Sequence, residues 1–429
     1  MQSNVPGVRV SSPYPCDTFK ELFVAHDPRW FLPRYKIWFS DRDLVGRLIL
    51  VRYDPRRGCI EGYQLVAFSN QSTLETWHAN SHVTIHSFKP SVKLHLDKPI
   101  LHLNANSLEN MIRAKRTTLM SLPLRSDIGG EGSQSSRDHP EQASHLTWSR
   151  PSNIFQAETP MVLGPGADGM FSNFILAKHL TPSFATHRAS FPFPYGDVWP
   201  PPAIPAAHRV AGVTLHMLEA PAGTVPHRPS RREELSDRAF RIRSWVELGS
   251  SARARHRNQM MWTTALSDLI NMPVSVGVHI GEEIATYSTL DPALYTPTEE
   301  KPWRGVWVGD YSGHGCEFLL INQQDHEGDE PVELVQMPDE TSEEFKRRNK
   351  EARLYRGRLE AIKLTGDPNV PRGEYTFIAD DLGEKGYVTT VREEPFKGAR
   401  VVRSRGHIAD TGFENGTFAH LPSSKRKKD

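Results

Sequence analysis

Short apolar runs broken by turn-forming residues mark both ends of this chain. From Phe19 to about Leu103 the runs KIWFS, RLILVRY, IEGYQLVAF, VTIHSF and VKLHLD each fit a short strand. DPRRG (54–58) separates two of them and reads as a hairpin turn. The last third has the same texture. KPWRGVWVGDYSGHGCEFLLIN (301–322) places the strand-like runs VWV and EFLLIN on either side of a Gly-rich polar turn. GRLEAIKLTGDPNVPRGEYTFIADDL (357–382) places EAIKLT and EYTFIA around GDPNVPRG, a segment dense in turn formers. Alternating short strands and turns predict a mainly β fold. The expected form is an antiparallel barrel or barrel-like sandwich of early and late strands, with a few peripheral helices and long loops.

The rest of the pattern sets the organisation. Residues 1–18 read as a loose N-terminus and 19–124 as an early β segment, with a helix over NSLENMIRAKRTTLMSL (106–122). Residues 125–150 are polar and aperiodic, which predicts disorder. A middle region of loops and helices follows over 151–300. It includes the Pro/aromatic loop FPFPYGDVWPPPAIP (191–205), which reads as packing over a core or as an extended ligand for another domain. It also includes helical spacing at Leu235, Ala239, Ile242, Trp245 and Val246. Residues 301–424 form the motif-bearing β segment that closes the same domain. Within it the charged insert 323–353 predicts an exposed helix near its end. Residues 425–429 are a basic tail.

Composition narrows the setting. Lys and Arg number 52 and Asp and Glu 51, so net charge implies no polyanionic partner. Basic stretches such as RARHR (253–257) lack interleaved aromatics for base stacking, and no nucleic acid is expected. The 33 prolines exceed the usual share of about 5% and favour loops and strands over long helices. Cys16, Cys59 and Cys316 are scattered and odd in number, which fits no disulfide framework and no zinc spacing. No run approaches a membrane helix, and the N-terminus has neither a signal core nor an Arg-rich transit pattern. The expected location is the cytoplasm, the nucleus or both; SSKRKKD reads either as a nuclear signal or as a solvated tail.

Three chemistries suit Asp310, His314 and Glu317: metal or acid–base work, hydrogen bonding that pins the turn, and ligand recognition. Their spacing matches no metal signature, so no metal and no cofactor is expected. GDPNVPRG lacks the ending of a phosphate loop, and Asp367 and Asn369 there suit side-chain bonds to the turn's own backbone. A G-x-S-x-G nucleophile motif is absent. Catalysis is therefore not expected.

The two late segments together resemble the cyclin D1-binding domain family, which includes an F-box-only protein of a ubiquitin ligase and the EXECUTER proteins of plastids. The family pattern is roughly G-x-Y-G-x-H-G-x-E followed by K-[LI]-T-G-D-P-N-[VI]-P-x-G. Gly309, Tyr311, His314, Gly315 and Glu317 match the first part, with Gly313 one place after the pattern's second Gly, and Lys363 to Pro371 with Gly373 match the second. Residues 27–66 and 403–424 are similar more weakly. The resemblance implies the β fold and a substrate-recognition role in an SCF-type ubiquitin ligase, capturing a target protein segment. Skp1 and cullin are the expected further partners of an F-box-containing form. This chain shows no F-box before Phe19 and stops where the family's last strands are expected. Trp307, Asp310, Tyr311, His314 and Glu317 are the candidate rim for the target, with Lys363, Thr365 and Asp367 beside it. Two other readings stay open: an EXECUTER-like sensor or scaffold without ligase coupling, and a small-ligand-binding barrel.

Overall fold

A computed structural model describes residues 10–40, 45–105, 157–161, 170–179, 198–199, 228–248, 278–323, 334–408 and 411–420. The helix expected at 106–122, the disorder expected at 125–150, most of the Pro/aromatic segment 191–205 and the basic tail lie outside those residues. The described chain is mainly β and holds two antiparallel sheets, one of them a half-barrel.

The first sheet has ten strands. They are β1 (Ile37–Ser40), β2 (Leu48–Asp54), β3 (Cys59–Trp77), β4 (Asn80–Leu94), β5 (Leu101–Asn104), β6 (Glu158–Met161), β7 (Met170–His179), β8 (Val198–Trp199), β9 (Leu235–Leu248) and β10 (Val278–Thr289). Their order is β4-β3-β2-β1-β10-β9-β7-β6, with β5 on β3 and β8 on β7. The second sheet has seven: β11 (Gly305–Asp310), β12 (Cys316–Gln323), β13 (Leu359–Lys363), β14 (Tyr375–Ala379), β15 (Tyr387–Thr390), β16 (Arg400–Ile408) and β17 (Gly412–His420). Their order is β11-β12-β13-β14-β16-β15, with β17 on β16. Among the described residues four α-helices are peripheral: α1 (Phe19–His26), α2 (Phe31–Tyr35), α3 (Pro292–Tyr295) and α4 (Ser342–Leu354). A capping box starts α1 at Thr18 and Glu21, and another starts α4 at Thr341 and Glu344. Helix α4, at the end of the charged insert, buries no side chain.

Several elements differ from the sequence reading. The early strands pair with middle strands, not with the motif strands, because β1 lies between β2 and β10. The described parts of 151–300 are mostly strands. The helical spacing over 231–248 becomes β9, with only a short helical turn at Arg232–Glu234 before it. The same apolar positions serve both periods. Phe240 and Ile242 also alternate, and Phe240, Ile242, Trp245 and Val246 are aromatic or β-branched. Pairing with β7 on one side and β10 on the other settles the choice for strand. The runs expected as separate strands at 83–88 and 92–97 form one strand, β4.

Burial builds three main cores. The first lies on the ten-stranded sheet under α1 and α2, around Trp38, Phe174, Phe240 and Tyr287. Phe240 stacks on Tyr287 with centroids 5.1 Å apart and meets Trp38 edge-on at 5.0 Å. The second joins the two sheets, packing Phe39, Leu48 and Leu290 against Phe318, Leu320, Ile362 and Tyr375. The third covers the other face of the seven-stranded sheet with Trp303, Leu319, Ile321, Leu359 and Val402. Because Phe240 is fully buried among three aromatic rings, Phe240→Ala is expected to cost about 3–5 kcal/mol of stability, read from urea unfolding. A loss near zero would show that this core is not what holds the first sheet.

Candidate functional site

Of the eight candidate residues, Glu317, Lys363, Asp367 and Tyr311 come together where the two motif loops meet, His314 and Thr365 lie on those loops, and Trp307 and Asp310 face other parts of the fold. The turn between β11 and β12 closes on itself: Tyr311 N donates to Gly315 O (2.9 Å) and His314 N to Tyr311 O (3.2 Å). Gly315 takes φ +85°, a left-handed conformation that side chains disfavour. The second loop leaves β13 and returns through Gly373 N to Lys363 O (2.7 Å) and Lys363 N to Glu374 O (2.9 Å). Asp367 Oδ1 caps it by accepting from the amides of Asn369 (2.7 Å) and Val370 (2.9 Å), the side-chain-to-backbone turn its sequence suggested. Gly366 sits so close to Arg372 N, Pro371 and the Val370 carbonyl that a Cβ would stand 2.4–2.8 Å from backbone. Its amide donates to Val45 O (2.8 Å) beyond that sheet.

A buried ionic group ties the two loops. Lys363 Nζ lies 2.7 Å from Glu317 Oε2 and 2.9 Å from Asp367 Oδ2, and all three side chains are almost fully buried. The Tyr311 ring closes the group, 4.0 Å from Nζ. Two carboxyls share one ammonium, so their proton affinities split apart. Burial pushes Glu317 up to about 8, Asp367 adds to the rise, and Lys363 opposes it. Burial also acts to raise Asp367, but Lys363, the Val370 and Asn369 amides and Glu317 hold it well below the usual carboxylate range. At neutral pH Asp367 is thus the anion of the two carboxyls and Glu317 holds its proton. Burial likewise pushes the Tyr311 phenol up to about 12; its hydroxyl bonds Thr376 Oγ1 at 3.2 Å.

The remaining residues have separate settings. Thr365 Oγ1 accepts from Phe318 N (2.9 Å) and fastens the second loop to β12. Trp307 is half-buried in the third core and donates through Nε1 to Trp303 O (3.1 Å). Asp310 faces the β3–β4 ribbon: its Oδ2 accepts from Ser69 Oγ (2.7 Å) and Ser72 Oγ (3.1 Å) and lies 3.1 Å from His86 Nε2. Ser72 Oγ also meets His86 Nε2 at 2.7 Å. A hydrolytic relay needs the two imidazole nitrogens on opposite partners. Here one nitrogen serves both, so the cluster is a clasp. Among the described residues no cluster of three or more His, Cys, Asp or Glu could hold a metal ion.

Solvent therefore reaches a narrower rim than the sequence outlined. His314 is exposed, and its Nε2 lies 3.0 Å from Asn369 Nδ2, a surface pair that bridges the two loops. Pro368 is exposed beside it. Glu317, Lys363 and Asp367 hold the floor beneath. The sequence reading gave the Asn369 side chain to the turn's own backbone; the structure instead turns it to His314, because Asp367 already caps the turn amides. Ser69, Ser72 and His86 reach Asp310 across more than 220 positions, and no local pattern signals them.

Two outcomes follow from the ionic group. Lys363→Met leaves Asp367 buried without its cation and is expected to cost about 3–5 kcal/mol in chemical unfolding. Folded Glu317 holds its proton up to about pH 8, whereas an unfolded carboxyl loses it near its ordinary value of 4.5. The native state binds more protons in that window, so stability falls as pH rises through it and levels off above. Glu317→Gln is expected to flatten that decline in melting temperature. An unchanged pH profile would show that Glu317 is ionised when folded.

Comparison with known proteins places this region. Over 136 residues, 31% of this chain, the sequence is 27% identical to Protein EXECUTER 2, chloroplastic, of Arabidopsis thaliana. The chain spans about a fifth of that relative's length, 19%. Residues 287–421, which run from the end of β10 through β17 and contain all eight candidate residues, match the model of the Cyclin D1 binding domain, a description that points to protein binding.

Proposed function

We propose that this chain captures a segment of a target protein and serves as the substrate receptor of an SCF-type ubiquitin ligase, with Skp1 and a cullin as further partners. The observation that carries the recognition half is the match of residues 287–421 to a domain described by its binding of cyclin D1. The geometry supports it. Two loops are held rigid by a buried lysine with two carboxyls, and they present His314, Asn369 and Pro368 to solvent beside half-buried Trp307 and Tyr311. Pre-organisation of this kind reduces the ordering cost of binding a flexible segment. Bond formation on ubiquitin belongs to the partner enzymes, so no residue here is assigned a catalytic role. The proposed setting is the cytoplasm, the nucleus or both.

A second reading, a scaffold or sensor without ligase coupling, draws on the likeness to the chloroplast protein. Co-purification separates the two: recovery of Skp1 and cullin with the full chain supports the ligase role, and their absence beside a retained protein target supports the scaffold.

The rim itself is tested by calorimetric titration with purified cyclin D1. His314→Ala and Asn369→Ala are surface changes and are expected to leave the unfolding midpoint near that of the parent. Each is expected to weaken binding by roughly tenfold or more if the pair lies at the centre of the contact. Full binding by both variants, or no binding of cyclin D1 by the parent, would remove the rim from the proposal.

A further inference from the structure

The ten-stranded sheet ends at β4, and no strand among the described residues pairs with its outer edge. Strands β3 and β4 run 19 and 15 residues, against 7 for β2, so they extend beyond the sheet as a two-stranded ribbon whose outer part is largely exposed. The ribbon is held at two places. Asp310 clasps Ser69, Ser72 and His86 near its middle. At its tip Trp77 Nε1 donates to Glu394 O (3.1 Å) and the Trp77 ring meets Phe396 at 5.8 Å. An edge fixed in this way is pre-organised for pairing.

The chemistry of the edge is sided. His95 N donates to Gln64 O (2.9 Å), an inward bond to β3. By the antiparallel alternation the amides of Val92 and Leu94 point outward, while Pro90 has none to offer. Lys89, Ser91 and Lys93 share one face with Val66 and Phe68; Val92 and Leu94 share the other. Lys89, Lys93 and Val92 are exposed, and no Asp or Glu occurs between Glu75 and Asp97.

We propose that β4 is a strand-addition site for an extended segment of another protein in which carboxylates alternate with β-branched aliphatic residues. Main-chain bonds to the outward groups of Val92 and Leu94 supply attachment, and the side-chain alternation supplies selection. Carboxylates fall beside Lys89 and Lys93 on one face, and aliphatic groups fall beside Val92 on the other. Pairing of β4 with a second copy of itself would bring lysines together, and Lys and Pro are the residues that guard edges against such association. The charge that repels a copy attracts an acidic strand. This site is separate from the rim at His314.

The full chain panned against displayed random peptides tests this. Enriched sequences are expected to alternate acidic and aliphatic residues. Their affinity is expected to fall at least about tenfold in Val92→Pro, which removes one outward donor without touching the β3 ladder. A similar fall is expected in the double variant Lys89→Glu/Lys93→Glu, with circular dichroism unchanged in both. His314→Ala is expected to leave these peptides bound, which keeps the outcome independent of the rim. The proposal is overturned if no peptide is enriched, if the enriched set lacks the acidic alternation, or if both β4 variants bind as the parent does. It is also overturned if Val92→Pro instead abolishes concentration-dependent self-association of the chain.

Discussion

A lysine ammonium taken fully out of water must be given counter-charge, and the second sheet is arranged around that requirement at Lys363. Glu317 reaches it from the start of β12 and Asp367 from the loop after β13. These contacts fix the distance between two loops that would otherwise be held only by their own turn bonds. The desolvation penalty of such a group is large, and replacement by well-packed apolar side chains is often no less stable. What the group provides is definition: one arrangement brings Glu317 and Asp367 to the same lysine Nζ, at 2.7 and 2.9 Å, and so sets the two loops relative to each other. The surface pair of His314 and Asn369 inherits its position from that floor.

The same end of the sheet is tied to the rest of the molecule by different means. Leu320, Ile362 and Tyr375 pack against Phe39, Leu48 and Leu290, so apolar burial holds the two sheets together. Asp310 adds a directional contact by accepting from the β3–β4 ribbon. Gly366 donates to Val45 at a point where a side chain would strike backbone. Burial is non-directional and sets that the sheets meet; the hydrogen bonds set how they meet.

Much of this was legible in local pattern. The strands of the two motif segments, the tight turn needing a left-handed glycine and the Asp367 turn all follow from residue types at short spacing. Two things were not. The apolar positions of 235–246 satisfy a helical and a strand period at once, and only the neighbours β7 and β10 decide between them. The functions of polar residues within the motif also depended on burial. Glu317, Lys363 and Asp367 carry chemistry suited to a ligand, yet the fold turns them toward one another.

That inward turn bears on how the motif is read. A run of polar residues that resembles the motif of a binding domain invites the inference that each residue touches the partner. Here three of the most chemically distinctive, Glu317, Lys363 and Asp367, lie beneath the surface, and Asp310 is engaged by the first sheet. In the proposed role, their effect on recognition would pass through the placement of His314, Asn369, Pro368, Trp307 and Tyr311. A buried group of this kind constrains sequence as a contact does, because loss of Lys363 or Asp367 leaves the other's charge uncompensated in a low-dielectric interior. The motif is therefore better understood as a frame that holds a small exposed rim than as the rim itself.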